Sequence, residues 1–132
     1  MDAILHIGLK AFIRKGDDIL ILADVAGGLD IPGGKLQESE TDPIAALKRE
    51  VREETGLEIE VERPFTTWVG YFPEHHRFYG KKVFLVGYLC RYVSGDVAIS
   101  DEHRSFRWVN KENYPAVAED SHYFTALTQY FS

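Results

Sequence analysis

The sequence predicts an α+β fold, a mixed β-sheet with one helix in the middle of the chain and one at its end. Segments rich in β-branched and aromatic residues recur along the chain, bounded by glycine, proline and aspartate turns. A single run with helical periodicity, residues 43–55, carries start and stop signals at its two ends. Residues 121–131 place Phe124, Leu127 and Phe131 at helical spacing. At 132 residues the chain is about one domain long and can bury a core without disulfide or metal staples. No repeat, low-complexity stretch or linker divides it, so residues 1–132 are expected to form one domain.

The elements follow in order. Residues 4–14 read as a strand, Gly16-Asp17-Asp18 as a turn and residues 19–23 as the hairpin partner. Gly27-Gly28 and Gly33-Gly34 bracket a loop. Asp42 is placed to cap a helix whose first residue is Pro43, and Gly56 is placed to stop it. Residues 57–61 alternate apolar and acidic side chains as a half-buried strand does. Residues 65–72 and 83–92 read as longer strands joined by the polar loop 73–82, and residues 105–109 as a short final strand.

Composition narrows the function classes. A chain 45% hydrophobic and 27% charged is that of a soluble globular protein, not a disordered one. The net charge of −6 opposes non-specific binding to nucleic acid or anionic lipid, so a polyphosphate ligand would need a local cationic site. One cysteine, Cys90, excludes an intrachain disulfide and suits a reducing, cytoplasmic compartment; in its apolar strand it reads as packing, not as a nucleophile. The apolar runs are far short of the ~20 residues that span a bilayer, and no basic segment precedes an apolar stretch as in a secretory signal. Neither a nucleic acid nor a membrane is expected as a partner.

The middle helix carries the chemistry. With Glu50 set at zero on a helical wheel, Glu53 falls near roughly 300° and Glu54 near roughly 40°, so three carboxylates share one face. Ile44, Leu47 and Val51 fall at roughly 60–120° as the buried stripe, and Lys48, Arg49 and Arg52 at roughly 160–260° as a basic face. Glu50 is a like-charged neighbour of both other acids, and all three lie towards the end of the helix where its dipole disfavours negative charge. Such a face reads either as a solvated surface or as a site for Mg²⁺ or Mn²⁺, which prefer oxygen ligands. The preceding Ile31-Pro32-Gly33-Gly34-Lys35 is either a plain turn or a place where bare backbone approaches a metal or phosphate. It is not a P-loop, because Leu29 and Leu36 stand where that motif needs Gly and Ser/Thr.

Gly34, Glu40 and Arg49-Glu50-Val51-Arg52-Glu53-Glu54-Thr55-Gly56-Leu57 together resemble the signature box of the Nudix hydrolases, here at residues 34–57. Positions 49–57 match throughout, and so does the five-residue spacing from Gly34 to Glu40. Eight residues separate Glu40 from Arg49 where the family has seven, and the extra one falls at Thr41 or Asp42, before the helix.

The resemblance implies a Nudix fold, an α/β/α sandwich with a mixed sheet between helices. It also implies Mg²⁺-dependent (or Mn²⁺-dependent) hydrolysis of a nucleoside diphosphate linked to another group. Carried onto this chain, it makes Glu50, Glu53 and Glu54 the metal-binding and water-activating carboxylates and the Gly34 carbonyl a further ligand. Arg49 orients a glutamate, and Glu40 holds the loop. Glu102, in Asp101-Glu102-His103, resembles the later-loop carboxylate of some members, although it also reads as an exposed turn acid; His103 reads as a surface or structural histidine.

For the substrate, Lys35, Arg77 and Tyr71 are candidates, the last two in or beside a loop that mixes cationic and aromatic residues. Trp68 and Trp108 are further candidates for a base pocket, with core packing as the alternative. His75-His76 makes a poor zinc pair, because adjacent residues in extended chain point opposite ways. Pro73 lies near a proline of ADP-ribose-hydrolysing relatives. The favoured substrates are (deoxy)nucleoside triphosphates, cleaved to monophosphate and pyrophosphate as in the MutT-like branch by a monomer or homodimer. ADP-ribose, nucleotide sugars, dinucleoside polyphosphates and a non-catalytic nucleotide-binding module are the alternatives.

Overall fold

The computed structural model describes residues 1–72, 74 and 76–132. Pro73 and His75, singled out above, lie outside the described residues. In order, the elements are β1 (His6–Lys15), β2 (Asp18–Asp24), β3 (Leu29–Asp30), β4 (Gly33–Lys35), α1 (Pro43–Thr55), β5 (Glu58–Tyr71), β6 (Lys82–Ser94), β7 (His103–Val109), α2 (Tyr114–Ala118) and α3 (Phe124–Phe131).

The sheet is mixed, as expected. Its main path runs β3-β2-β1-β6-β5, with β1 parallel to β6 from His6 to Arg14 and antiparallel pairing elsewhere. β1 and β2 pair only beside their turn, at Arg14↔Ile19 and Lys15↔Asp18. Beyond that point they part, β4 taking the edge of β1 at Gly8–Lys10 and β7 taking the edge of β2. This parting brings Gly33-Gly34 of β4 against the middle of β1.

Alternation along β1 sorts the core into two layers. Leu9, Ala11 and Ile13 pack with Leu47 and Val51 of α1, while Phe12 packs with Ile19, Val109, Ala118 and Leu127 beneath α2 and α3. The sheet therefore lies between helices. α1 has the expected bounds: Asp42 accepts from the N–H groups of Ile44 (3.0 Å) and Ala45 (3.2 Å), and Gly56 adopts φ 74° at the other end.

Several expectations need correction. Residues 57–61 and 65–72 are not separate strands but one 14-residue strand, β5, kept continuous by register shifts at Val61/Arg63 and Pro64/Thr66. Pro64 is tolerated there because β5 is an edge strand and the irregularity spares it the missing donor. The glycine-bracketed loop contains β3 and β4, too short to show a periodicity. The closing helix begins at Phe124, not at 121, and α2 precedes it. Ile44 is 43% exposed rather than part of the buried stripe, because it lies in the first turn of α1, beyond the sheet that covers Leu47 and Val51.

Candidate functional site

The three box glutamates stand in different surroundings. Glu53 is exposed. Glu50 is half-buried, and its carboxyl lies against Gly34 so closely that a Cβ there would collide with it. Glu54, at 7% exposure, is buried, since its place on the wheel borders that of Leu47. Its Oε1 accepts the Gly33 N–H at 2.8 Å. Gly33 sits at φ 145°, open only to glycine, and a Cβ on it would strike the Leu9 carbonyl oxygen. The two glycines are thus required by close approach, one to β1 and the other to Glu50.

Arg49 ties these acids together. It grips Glu40 with two hydrogen bonds of 3.0 Å and donates to Glu50 at 2.9 Å and to Glu53 at 3.1 Å. The bond from Arg49 holds the Glu40 carboxyl below the usual carboxylate range. Glu40 also accepts the Gln37 N–H at 2.9 Å, so it braces the loop despite the extra residue before the helix. Burial pushes the Glu50 carboxyl up, against the pull of Arg49 and with the charges of Glu53 and Glu102 adding to it. Burial pushes Glu54 up to about 7. One guanidinium among this many acids leaves a surplus of negative charge.

The segment after β6 closes the site. Ala98 N–H donates to Thr55 O at 2.8 Å and Ser100 N–H to Glu54 O at 3.1 Å, satisfying carbonyls at the end of α1. Glu102 follows, exposed, with its charge acting on both Glu50 and Lys35. Glu102, nearly fifty residues beyond the box acids in sequence, thus comes within electrostatic range of Glu50.

The cationic candidates meet on aromatic rings. Lys35 Nζ lies 4.3 Å from the Phe78 ring centre and 5.6 Å from that of Phe72, and the Arg77 guanidinium lies 4.7 Å from Phe78. Burial and then the nearby Arg77 charge lower the Lys35 pKa. Tyr71 is exposed at the end of β5, paired with Lys82, and among the described residues no hydrogen bond or ring contact ties it to this group. Trp68 meets Tyr123 edge-on at 5.7 Å and donates to His122 Nδ1 at 3.4 Å, whereas Trp108 packs elsewhere, under Lys15. Cys90 is buried, and burial pushes its thiol up to about 12.

Sequence reasoning missed a second charged cluster next to Glu54. Lys10, Asp30, His103 and Tyr123 form a partly buried network, and ligand atoms of Asp30, Glu54 and His103 all lie within 4.8 Å of one another. Burial opposes the charge of Lys10, yet Asp30 at 3.0 Å raises its pKa; burial likewise opposes Asp30, and Lys10 with His103 hold it below its usual range. The signal in the sequence was a lone lysine inside the apolar run of β1. Nothing local said where its partner was.

The donor set around Glu50 fits a hard divalent cation. Glu50, Glu53, Glu54 and Glu102 offer carboxylate oxygens, Gly34 offers a carbonyl, and the missing Cβ of Gly34 lets the Glu50 carboxyl lie against that backbone.

Comparison with known proteins agrees with this geometry. The pattern of the NUDIX domain family matches residues 5–127. The chain is 42% identical over 60 residues to proteins of Helicobacter pylori named RNA pyrophosphohydrolase, a match covering 42% of this chain but only 38% of theirs. The crystal structure of a MutT protein from Methanosarcina mazei Go1 superposes with a TM-score of 0.81 at 28% identity, covering 99% of this chain and 95% of that one. An ADP-ribose pyrophosphatase from Streptococcus suis shares the fold, with a TM-score of 0.63 at 24% identity over 83% of this chain and 77% of that one.

Proposed function

This chain belongs to the Nudix family, and on that premise we propose that it is a divalent-metal-dependent pyrophosphohydrolase acting on (deoxy)nucleoside triphosphates, releasing the monophosphate and pyrophosphate. The observation that carries the reading is the surplus of acid at one end of α1. Glu50, Glu53 and Glu54 share a helix face that a single guanidinium, Arg49, reaches from the side, and Glu102 adds its charge from beyond the helix.

Glu50, Glu53, Glu54, Glu102 and the Gly34 carbonyl would hold Mg²⁺ or Mn²⁺, which would supply neutralisation of the pyrophosphate and activation of water. Either Glu50 or Glu53 would accept the proton of the attacking water. Arg49 keeps both aimed by bonding each while anchored bidentately on Glu40. Lys35 and Arg77 meet the outer phosphates, since a polyanion relieves the repulsion between two cations on one ring. Tyr71 is the weakest of the substrate assignments, for it stands apart from this pair.

A second reading takes an RNA as substrate, because the H. pylori relatives are named RNA pyrophosphohydrolase, and a 5′-triphosphate is the RNA end that offers such a bond. Both substrates present the same triphosphate. Among the described residues no helix is long and apolar enough to cross a membrane.

The test is product analysis with and without Mg²⁺ on dNTPs, NTPs, ADP-ribose, nucleotide sugars, diadenosine polyphosphates and a short 5′-triphosphorylated RNA. Metal-dependent release of monophosphate and pyrophosphate from free nucleotides is the expected result. Turnover confined to the RNA selects the second reading. Metal binding without turnover of any substrate selects a nucleotide-binding module.

A further inference from the structure

A half-buried carboxylate lies between the two halves of the site. Asp30 Oδ1 accepts from Lys10 Nζ at 3.0 Å, from the Ile31 N–H at 2.8 Å and from the Tyr123 hydroxyl at 2.9 Å. Its Oδ2 faces His103 Nε2 at 2.9 Å, and because an ionised carboxylate only accepts, that nitrogen carries the proton. Three of these donors share Oδ1 and one meets Oδ2. Although Asp30, Glu54 and His103 cluster within 4.8 Å, the cation that Asp30 holds is the Lys10 ammonium, at 3.0 Å.

The four donors lead in two directions. Ile31 enters Pro32-Gly33-Gly34, where the Gly33 N–H holds Glu54 and Gly34 lies against Glu50. His103 directly follows Glu102. Lys10 and Tyr123 lead away from the acids, into β1 and to the start of α3, and Lys10 also donates to the Ile31 carbonyl at 3.1 Å. Packing alone does not account for this arrangement. The neighbours of Lys10 along β1, from Leu9 to Ile13, are at most 2% exposed, and a buried ion pair can usually be replaced by apolar residues without loss of stability.

We propose that Asp30 is the positioning residue of the metal site: it locks the Gly33-Gly34 segment of β4 to the Glu102 loop, so that the α1 carboxylates and Glu102 face the same cation. This rests on the metal-site reading above. Asp30 touches neither substrate nor metal and acts through Ile31 and His103.

The test is Mn²⁺ titration of the metal-free full-length chain, followed by the electron paramagnetic resonance of free Mn²⁺, with thermal melting measured alongside. Lys10→Met/Asp30→Asn removes the hub without leaving a buried ammonium alone. His103→Leu cuts the arm to Glu102, and Tyr123→Phe cuts an arm that leads away from the site. The expected result is Mn²⁺ affinity lowered tenfold or more in the double variant and severalfold in His103→Leu, but within twofold of wild type in Tyr123→Phe, whatever each does to the melting temperature. Affinities that follow melting temperature across the variants, or a folded double variant with wild-type affinity, overturn the proposal. Should the double variant not fold, the contrast between His103→Leu and Tyr123→Phe decides. A wild-type chain that binds no Mn²⁺ overturns the metal-site reading itself and this proposal with it.

Discussion

The two charged clusters at the end of α1 are built on opposite principles. Around Asp30 charge meets counter-charge: an ammonium, an imidazole and a phenol sit within hydrogen-bonding distance of one carboxylate, largely withdrawn from water. Around Arg49 one guanidinium faces Glu40, Glu50 and Glu53, and the acids outnumber it in partly solvated surroundings. A closed cluster rigidifies, because removing any member strands the others in low dielectric. An open cluster stores unmet negative charge, which an arriving cation can satisfy. Glu54 stands between them, bonded to the Gly33 N–H and pushed up by burial beside both.

The contrast can be broken from either side. The largest effect should come from Asp30→Leu alone, which leaves Lys10 buried and unpaired and should cost about 3–5 kcal/mol in a urea unfolding curve. A loss below about 1 kcal/mol would mean the cluster is not closed after all. Glu53→Gln should do the reverse: activity falls about a hundredfold or more while the unfolding midpoint stays put, since an exposed like charge has been removed. Wild-type turnover by that variant at saturating Mg²⁺ would remove Glu53 from the mechanism.

The pH dependence sharpens the role of Glu54. Its folded pKa of about 7 lies above the ordinary 4.5, so the folded state binds the proton more tightly than the unfolded one. In metal-free protein this group makes stability fall as pH rises from about 4.5 to 7, by at most about 3 kcal/mol, and contributes no slope above that range. Asp30, whose pKa is lowered, acts in the other direction and only in more acidic solution. A divalent cation competes with the Glu54 proton, so the melting shift produced by Mg²⁺ or Mn²⁺ should be larger at pH 8 than at pH 6. A shift independent of pH would detach Glu54 from the metal. The smallest effect should come from Glu58→Gln, which cuts the exposed pair with Arg52 and should leave both melting temperature and activity unmoved.

What could be read in advance follows the range of the forces involved. The bounds of α1, its cap at Asp42, its stop at Gly56 and the shared face of Glu50, Glu53 and Glu54 all depend on residues within about one turn of each other. Even the burial of Glu54 was implicit in the wheel, where it borders Leu47. The union of residues 57–61 with 65–72 into β5 was not legible, because Pro64 is an ordinary strand-breaking signal unless the strand is known to be an edge. β3 and β4 were hidden by their length, and their pairing with β2 and β1 is all that makes them strands.

The sequence by itself determined the helix, its acids and the family, because helical geometry converts spacing directly into position. Only the tertiary structure decided which charges would be closed off and which left open. Asp30 finds Lys10 across 20 residues, His103 across 73 and Tyr123 across 93. Those separations are set by the parting of β1 from β2 and by the sheet order that follows, and no periodicity along the chain encodes them.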